Sequence, residues 1–291
     1  MEVKDIKSYG DLDGDGGSQI IEQVLSLKEK VQARLSGVKR MIVIGSGKGG
    51  VGKSTLTFQL ANQLRKYGKA VAILDADFNG PTIAQISGTK DVKFIPGVNG
   101  LTLPVSKNGI GILSIGSLVP ESEAVDFSSV AQGDSYIWRA TKEFSVLTDI
   151  LANTNWGELD FLLVDLPPGA ERCRQFAEFF GKRVSFILIT IPSDVSRGVV
   201  SRSYESLKES GSDVVGFIEN MDGYFCHGCK SVKPLFPNDK KIQLDIQRLG
   251  AIPFDPELAL KCDRGIADET SEKSPTVQSM AKIATNLLAV L

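Results

Sequence analysis

Short apolar runs alternate with stretches of helical periodicity along most of this chain. The predicted strands are Met41–Ile44, Ala70–Leu74, Ile110–Ile115, Phe161–Asp165, Val184–Ile189, Val214–Ile218 and Ala251–Ile252. The predicted helices are Ile20–Leu35, Ser135–Leu151, Arg172–Phe180, Val195–Glu209, Ile242–Leu249 and a last helix that opens at Ser274 and Pro275. This alternation predicts an α/β fold with a doubly wound, mostly parallel sheet and helices on both faces. Ligands of such a sheet bind at the carboxyl ends of its strands.

A glycine-rich segment joins the first core strand to a helical pattern. It is Gly47-Lys48-Gly49-Gly50-Val51-Gly52-Lys53-Ser54-Thr55, which fits the P-loop consensus G-x-x-x-x-G-K-S/T. Glycines let successive backbone N–H groups curl around a phosphate. Lys53 places a positive charge beside the β- and γ-phosphates, and the Ser54 hydroxyl is a magnesium ligand. The segment therefore predicts a P-loop NTPase that binds ATP and Mg²⁺.

Three aspartates fall where predicted strands end, on the side of the sheet that carries the P-loop. Asp75 and Asp77 follow one strand, and Asp165 ends another. We expect Asp165 to hold magnesium, Asp75 to support the metal shell and Asp77 to orient an attacking water. Gly169, after two prolines, is a candidate sensor of the γ-phosphate. Each aspartate taken alone could equally be a helix cap.

Composition limits the remaining classes of function. The chain has 291 residues, of which 42% are hydrophobic and 23% charged, and its net charge of −2 gives no electrostatic reason to expect nucleic acid or an anionic membrane as main partner. Without a signal-peptide layout or a long apolar run, we expect a cytoplasmic protein with reduced thiols. Residues 1–37 are predicted to form an acidic, glycine-rich appendage with a helix, and residues 38–291 the ATPase domain.

A single C-x-x-C pair, Cys226 and Cys229, follows the strand Val214–Ile218. Such a pair can be half of a zinc ribbon, a thiol–disulfide pair or a pair of cluster ligands. A tetrahedral thiolate site needs four ligands, and no second C-x-x-C occurs in the chain. Two chains meeting about a two-fold axis would supply four thiolates, which suits a [4Fe–4S] cluster and also a zinc ion.

Several segments together resemble the Mrp-type P-loop ATPases that carry iron–sulfur clusters. They are the P-loop at 47–55, DADFNGPT at 75–82, WGELD at 156–160, DLPPG at 165–169, ENM at 219–221 before the C-x-x-C, and IPFDP at 252–256. The resemblance implies a homodimer with slow ATPase activity and a bridging, labile [4Fe–4S] cluster handed to apo-proteins. It also implies that Lys48 reaches the partner's nucleotide across the interface and that Asn220 contacts adenine.

The chain departs from that family's usual pattern at two places. His227 stands where the family usually has proline, and Ala170-Glu171-Arg172-Cys173 stands where the family usually has small residues and an acidic one after Gly169. Without the proline, the rigidity implied for the cysteine loop does not carry over from the family. The different residues after Gly169 likewise leave the family's link from the γ-phosphate to the dimer interface without its usual sequence. We expect Cys173 and Cys262 to be structural.

A second metal site is an alternative interpretation of the N-terminal segment. Asp11, Asp13, Asp15 and Glu22 match the calcium-binding EF-hand pattern D-x-D/N-x-D/N-G-x5-E, with a solvated acidic linker as the other interpretation.

Two rival functions of the whole chain also stay open. One is a ParA/MinD-like positioning ATPase that binds DNA or membrane, and the other is an ATPase with structural zinc.

Overall fold

The computed structural model describes residues 20–77, 80–98, 100–114, 136–226, 228–236 and 245–291, with only the backbone described for 20–24 and 136–144. Asp11, Asp13 and Asp15 of the predicted calcium site lie outside these residues, as does the side chain of Glu22. The calcium site therefore stays a prediction. His227 is likewise outside the described residues.

A mostly parallel sheet forms the centre of the described structure. Its strands are β1 (Val38–Ser46), β2 (Val71–Asp75), β5 (Gly111–Ser114), β6 (Leu159–Asp165), β7 (Val184–Thr190), β8 (Asp213–Cys226) and β10 (Arg248–Phe254). They lie in the order β10-β8-β7-β1-β6-β2-β5, and each neighbouring pair is parallel. The short strand β9 (Ser231–Lys233) adds to β8 in the antiparallel sense, and β3 (Ile95–Gly97) and β4 (Gly100–Thr102) form a separate hairpin.

Helices cover both faces of this sheet. They are α1 (Ile20–Arg34), α2 (Lys53–Lys66), α3 (Ile83–Ile86), α4 (Tyr136–Asn153), α5 (Ala170–Phe180), α6 (Asp194–Glu209), α7 (Pro256–Asp263) and α8 (Pro275–Val290). Strand β1 illustrates the reason. Its successive side chains point to opposite faces of the sheet, so each face carries apolar residues that a helix must cover. Met41 and Val43 pack in one buried cluster, and Ile42 and Ile44 pack in the other. The predicted doubly wound α/β fold is confirmed.

Helix α1 packs against the body of the sheet structure. Val31 and Leu35 are fully buried in the same core cluster as Met41, and α1 lies against α4. The Arg34 side chain donates a hydrogen bond of 3.1 Å to the carbonyl of Ala152 near the end of α4. In the described parts of the chain, no helix combines the length and apolar character that crossing a membrane requires.

The predicted helix Ile242–Leu249 is wrong over its described part. Residues 245–247 are not helical, and Arg248 and Leu249 already belong to β10. Leu249 is fully buried, and Arg248 pairs with Phe217 of β8 in the parallel register. A segment of eight residues with mixed apolar and polar positions is too short for its periodicity to separate helix from strand, and here the pairing with β8 decides.

Candidate nucleotide site and cysteine hairpin

The P-loop connects the end of β1 to the first turn of α2 and needs glycine at two of its positions. Gly50 and Gly52 have φ angles of 76° and 80°, a left-handed region that side chains rarely adopt. At Gly52 a Cβ atom would also lie 2.3 Å from Nδ2 of Asn220. That amide donates a hydrogen bond of 2.8 Å to the carbonyl of Val51. Asn220 thus fixes the loop from a strand far away in sequence.

A buried ion pair lies beneath the P-loop. Nζ of Lys53 is 2.6 Å from Oδ1 of Asp165, and the two side chains are 7% and 0% exposed. The Ser54 hydroxyl donates to Oδ2 of Asp165 at 2.5 Å, and the Thr57 hydroxyl lies 3.1 Å from Oδ1. The parallel register of β1 with β6 brings Asp165 to this place, next to Ile44. The predicted lysine, serine and aspartate therefore meet at the carboxyl edge of the sheet.

Asp75 is fully buried and anchors the loop that follows β2. Its Oδ2 atom accepts hydrogen bonds of 3.0 Å from the backbone N–H groups of Thr82 and Ile83 and from the Ser114 hydroxyl. Burial, and then the negative charge of the neighbouring Asp165, raises the pKa of Asp75 to about 7. These contacts hold the first turn of α3, so Asp75 positions the loop that carries Asp77. Its magnesium role stays a prediction.

A cavity of about 740 Å³ opens beside the P-loop, within the usual size range of ligand pockets. Its walls include P-loop residues 48–55, half-buried Asp77, Thr82 and Pro168. Cys262 of α7 also lines it, with Sγ 3.9 Å from the Thr55 hydroxyl. The expected structural role of Cys262 did not include this position. No local pattern indicates it, because α7 follows β10 and reaches the P-loop only through the tertiary fold.

The turn after β6 contacts the P-loop strand directly. Gly169 has φ 123°, and its N–H donates a hydrogen bond of 2.8 Å to the carbonyl of Ser46. Helix α5 begins at the next residue, and Cys173 in its first turns is buried against Gly45. Burial raises the pKa of the Cys173 thiol to about 12, which makes it unreactive. The expected structural role of Cys173 agrees with this position.

The C-x-x-C pair lies at the tip of an antiparallel hairpin, which we call the cysteine hairpin (residues 224–226 and 228–233). Cys226 is the last residue of β8 rather than part of a loop, and it pairs with Ser231 at the start of β9. Cys226 is half-buried and Cys229 is exposed. Sγ of Cys229 lies 3.0 Å from Oγ of Ser231. Hydrogen bonds, first from Ser231 and then from Cys226, lower the pKa of Cys229 to about 7.

Comparison with known proteins identifies the family. Residues 37–288 match a family model described as NUBPL iron-transfer P-loop NTPase. The chain belongs to this family. The predicted resemblance to iron–sulfur carriers of the P-loop class is therefore confirmed, and the match spans the sheet, the P-loop and the cysteine hairpin.

Relatives and solved structures of this iron-transfer NTPase agree with that assignment. The chain is 34% identical to an iron-sulfur cluster carrier protein of Aquifex aeolicus, covering 88% of this chain and 70% of that protein. It is 33% identical to the cytosolic Fe-S cluster assembly factor NUBP2 of Gallus gallus, covering 88% and 94%. A nucleotide-binding protein of Archaeoglobus fulgidus, solved with ADP, superposes with TM-score 0.71 at 30% identity over 86% and 95%.

More distant structures share the fold alone. A chain of the MinC:MinD cell division protein complex of Aquifex aeolicus superposes with TM-score 0.60 at 23% identity, over 86% of this chain and 96% of that one. The match supports the doubly wound P-loop architecture.

One strand of the iron-transfer NTPase joins its two candidate sites. Strand β8 carries Asn220, which contacts the P-loop, and ends six residues later at Cys226. Six residues of extended chain span at most about 20 Å. Between them, Met221 has φ 58° and Gly223 has φ 93°, so the strand is irregular in this stretch. Asn220 and Cys226 therefore lie on one continuous stretch of strand backbone.

Proposed function

We propose that this iron-transfer NTPase is an ATP-dependent iron–sulfur carrier that works as a homodimer. Two copies would share one [4Fe–4S] cluster through Cys226 and Cys229 and deliver it to apo-proteins, with slow ATP hydrolysis. The observation that carries the proposal is the cysteine pair at the tip of the cysteine hairpin, in which Cys229 is exposed and Cys226 is half-buried. The names of the relatives, an iron-sulfur cluster carrier protein and a cytosolic Fe-S cluster assembly factor, support the carrier role.

The ligand count favours two subunits. Within the described residues, no group of three or more His, Cys, Asp and Glu side chains is placed to hold a metal ion. One cysteine hairpin supplies two thiolates, whereas a [4Fe–4S] cluster takes four. A second copy of the hairpin completes the set by symmetry, because a two-fold axis brings the same surface of both subunits together. The exposure of Cys229 leaves it accessible for that contact.

The nucleotide site has the groups that ATP and magnesium require. The Ser54 hydroxyl and the Asp165 carboxylate are hard oxygen donors 2.5 Å apart, the ligand type that Mg²⁺ prefers. Magnesium, when bound there, would neutralise charge on the β- and γ-phosphates. Lys53 is held beside these groups, and Asp77 in the cavity wall is the candidate to orient the attacking water. Half-buried Lys48 lines the same cavity and is the candidate to reach the partner's nucleotide.

Nucleotide binding would act on the cluster by shifting the population of dimer arrangements. A ligand shifts such an equilibrium only by its differential affinity for the two states. The hydrogen bond from Asn220 to Val51 links the nucleotide site to β8, the strand that ends at Cys226. ATP bound at the P-loop would change the surroundings of Val51 and hence of β8. We therefore expect ATP to change how firmly Cys226 and Cys229 hold their cargo.

Anaerobic reconstitution with iron and sulfide tests the proposal. The wild-type protein should take up about four iron and four sulfide per dimer. Cys226→Ala and Cys229→Ala should lose the cluster, whereas Cys173→Ala, which removes a buried thiol outside the hairpin, should retain it. A single tightly bound zinc per dimer without cluster formation would favour a structural metal site and contradict the carrier role.

A further inference from the structure

We propose that Ser231 is a positioning residue for the metal site of the cysteine hairpin. Its hydroxyl donates a hydrogen bond to the sulfur of Cys229 and so stabilises the metal-bound thiolate. The inference rests on the proposed role of Cys226 and Cys229 as metal ligands. It adds a residue that acts through Cys229 without touching the metal.

The geometry gives the contact, and loss of the thiol proton on metal binding gives its direction. Oγ of Ser231 is 3.0 Å from Sγ of Cys229, a short distance for a hydrogen bond to sulfur. In a free thiol either atom can be the donor, but a metal-bound cysteine is a thiolate without a proton. Once metal binds, the serine hydroxyl is therefore the donor of this pair. Metal binding selects one of two hydrogen-bond directions that the apo-protein allows.

The hairpin itself holds Ser231 in place. Ser231 pairs with Cys226 across β8 and β9, so its side chain lies on the same face of the hairpin as Cys226. Lys230, between Cys229 and Ser231, has φ 52°, a left-handed conformation that turns the chain back into β9. The hydroxyl is thus placed beside Cys229, on the face of the hairpin that carries Cys226.

A donor to a ligand sulfur has two physical consequences. It withdraws negative charge from the sulfur, which favours the reduced, more negative cluster and raises its reduction potential. It also orients the ligand, and outer-shell partners of this kind commonly change metal affinity by 10- to 100-fold. Cys229 and Ser231 are exposed in the single chain, so we expect an effect near the lower end of that range.

The test compares Ser231→Ala, which removes the hydroxyl, with Ser231→Thr, which keeps a hydroxyl. Threonine is also a residue that strands favour. Ser212→Ala is the matched control, because it removes another exposed hydroxyl that pairs with a neighbour, Ser210, at 2.7 Å. Two quantities are measured in oxygen-free buffer for all variants. One is the affinity for Co²⁺, followed through its thiolate charge-transfer absorption, and the other is the midpoint potential of the reconstituted cluster.

Ser231→Ala should weaken Co²⁺ binding about tenfold. It should also lower the midpoint potential of the reconstituted cluster, because the reduced cluster loses a hydrogen bond that stabilises its negative charge. Ser231→Thr should restore both values, and Ser212→Ala should match wild type. Equal values for Ser231→Ala and wild type in both measurements overturn the inference, as does a threonine variant that behaves like alanine.

Failure of the carrier proposal gives a different pattern. If the wild-type hairpin binds Co²⁺ but forms no cluster, the carrier role fails and the Co²⁺ affinities still decide the role of Ser231. If the wild-type protein binds neither Co²⁺ nor cluster, the hairpin is not a metal site and both proposals fall.

Discussion

Replacing Gly52 with alanine should disturb the P-loop in two separable ways. The residue has φ 80°, so alanine must adopt a left-handed conformation. Its Cβ atom would also lie 2.3 Å from Nδ2 of Asn220, far inside contact distance. Asn220 must then move and lose its hydrogen bond of 2.8 Å to Val51. The substitution therefore combines local backbone strain with the loss of a contact between distant segments.

The magnitude follows from these two terms. A left-handed conformation costs an L-residue about 1–2 kcal/mol. Loss of the amide hydrogen bond adds about 1 kcal/mol. Gly50→Ala is the matched control, because Gly50 has a nearly equal φ of 76° and no atom within 4 Å of its added Cβ. Gly52→Ala should thus destabilise the protein by about 1 kcal/mol more than Gly50→Ala does.

Urea denaturation of the nucleotide-free protein measures these free energies of unfolding. The set is wild type, Gly50→Ala, Gly52→Ala, Asn220→Ala and the double variant at 52 and 220. Because alanine at 52 clashes with a side chain that the double variant lacks, the two single effects should sum to about 1 kcal/mol more than the double effect. Equal destabilisation by the two glycine variants, with full additivity in the cycle, would refute the assigned contact.

Three further predictions concern the charged groups of the site. Asp165→Ala leaves buried Lys53 without its partner and should lower the free energy of unfolding by about 3–5 kcal/mol. The double replacement Lys53→Met/Asp165→Leu, which removes both charges, should recover much of this loss. A cost below about 1 kcal/mol for Asp165→Ala would contradict the buried pair. Because the pKa of Asp75 is raised to about 7, the folded state holds a proton that the unfolded state releases. Stability should then fall as the pH rises from about 4 to about 7, and Asp75→Asn should flatten this slope in urea titrations at several pH values. Lys48→Ala should weaken ATP-driven dimerisation in analytical ultracentrifugation, and unchanged dimerisation would remove its proposed intersubunit role.

Sequence patterns predicted the parts of this structure that depend on local order. The P-loop consensus identified Lys53 and Ser54, and the strand-end rule placed Asp165 with them, because parallel strands align their carboxyl ends. The alternation of apolar runs with helical periodicity predicted the parallel sheet and the positions of most helices. The predicted helix at 242–249 failed because pairing with β8 decides its conformation.

Contacts between distant segments could not be predicted in this way. Asn220 and Val51 are 169 positions apart, and no periodicity indicates that an amide in β8 meets the P-loop. Cys262 gave no signal of its place in the nucleotide cavity. The contact of Ser231 with Cys229 is local, and it was missed because β9, a strand of three residues, is too short to show an alternating pattern.

The central claim is that two copies of this chain share one cluster through their cysteine hairpins. Native mass spectrometry of the anaerobically reconstituted protein measures this directly, because it reports chain number and metal content of one species. We predict a dimer that carries about four iron and four sulfide and that separates into metal-free chains when the cluster is removed. A single chain that retains a complete cluster, or a dimer that carries none, would contradict the claim.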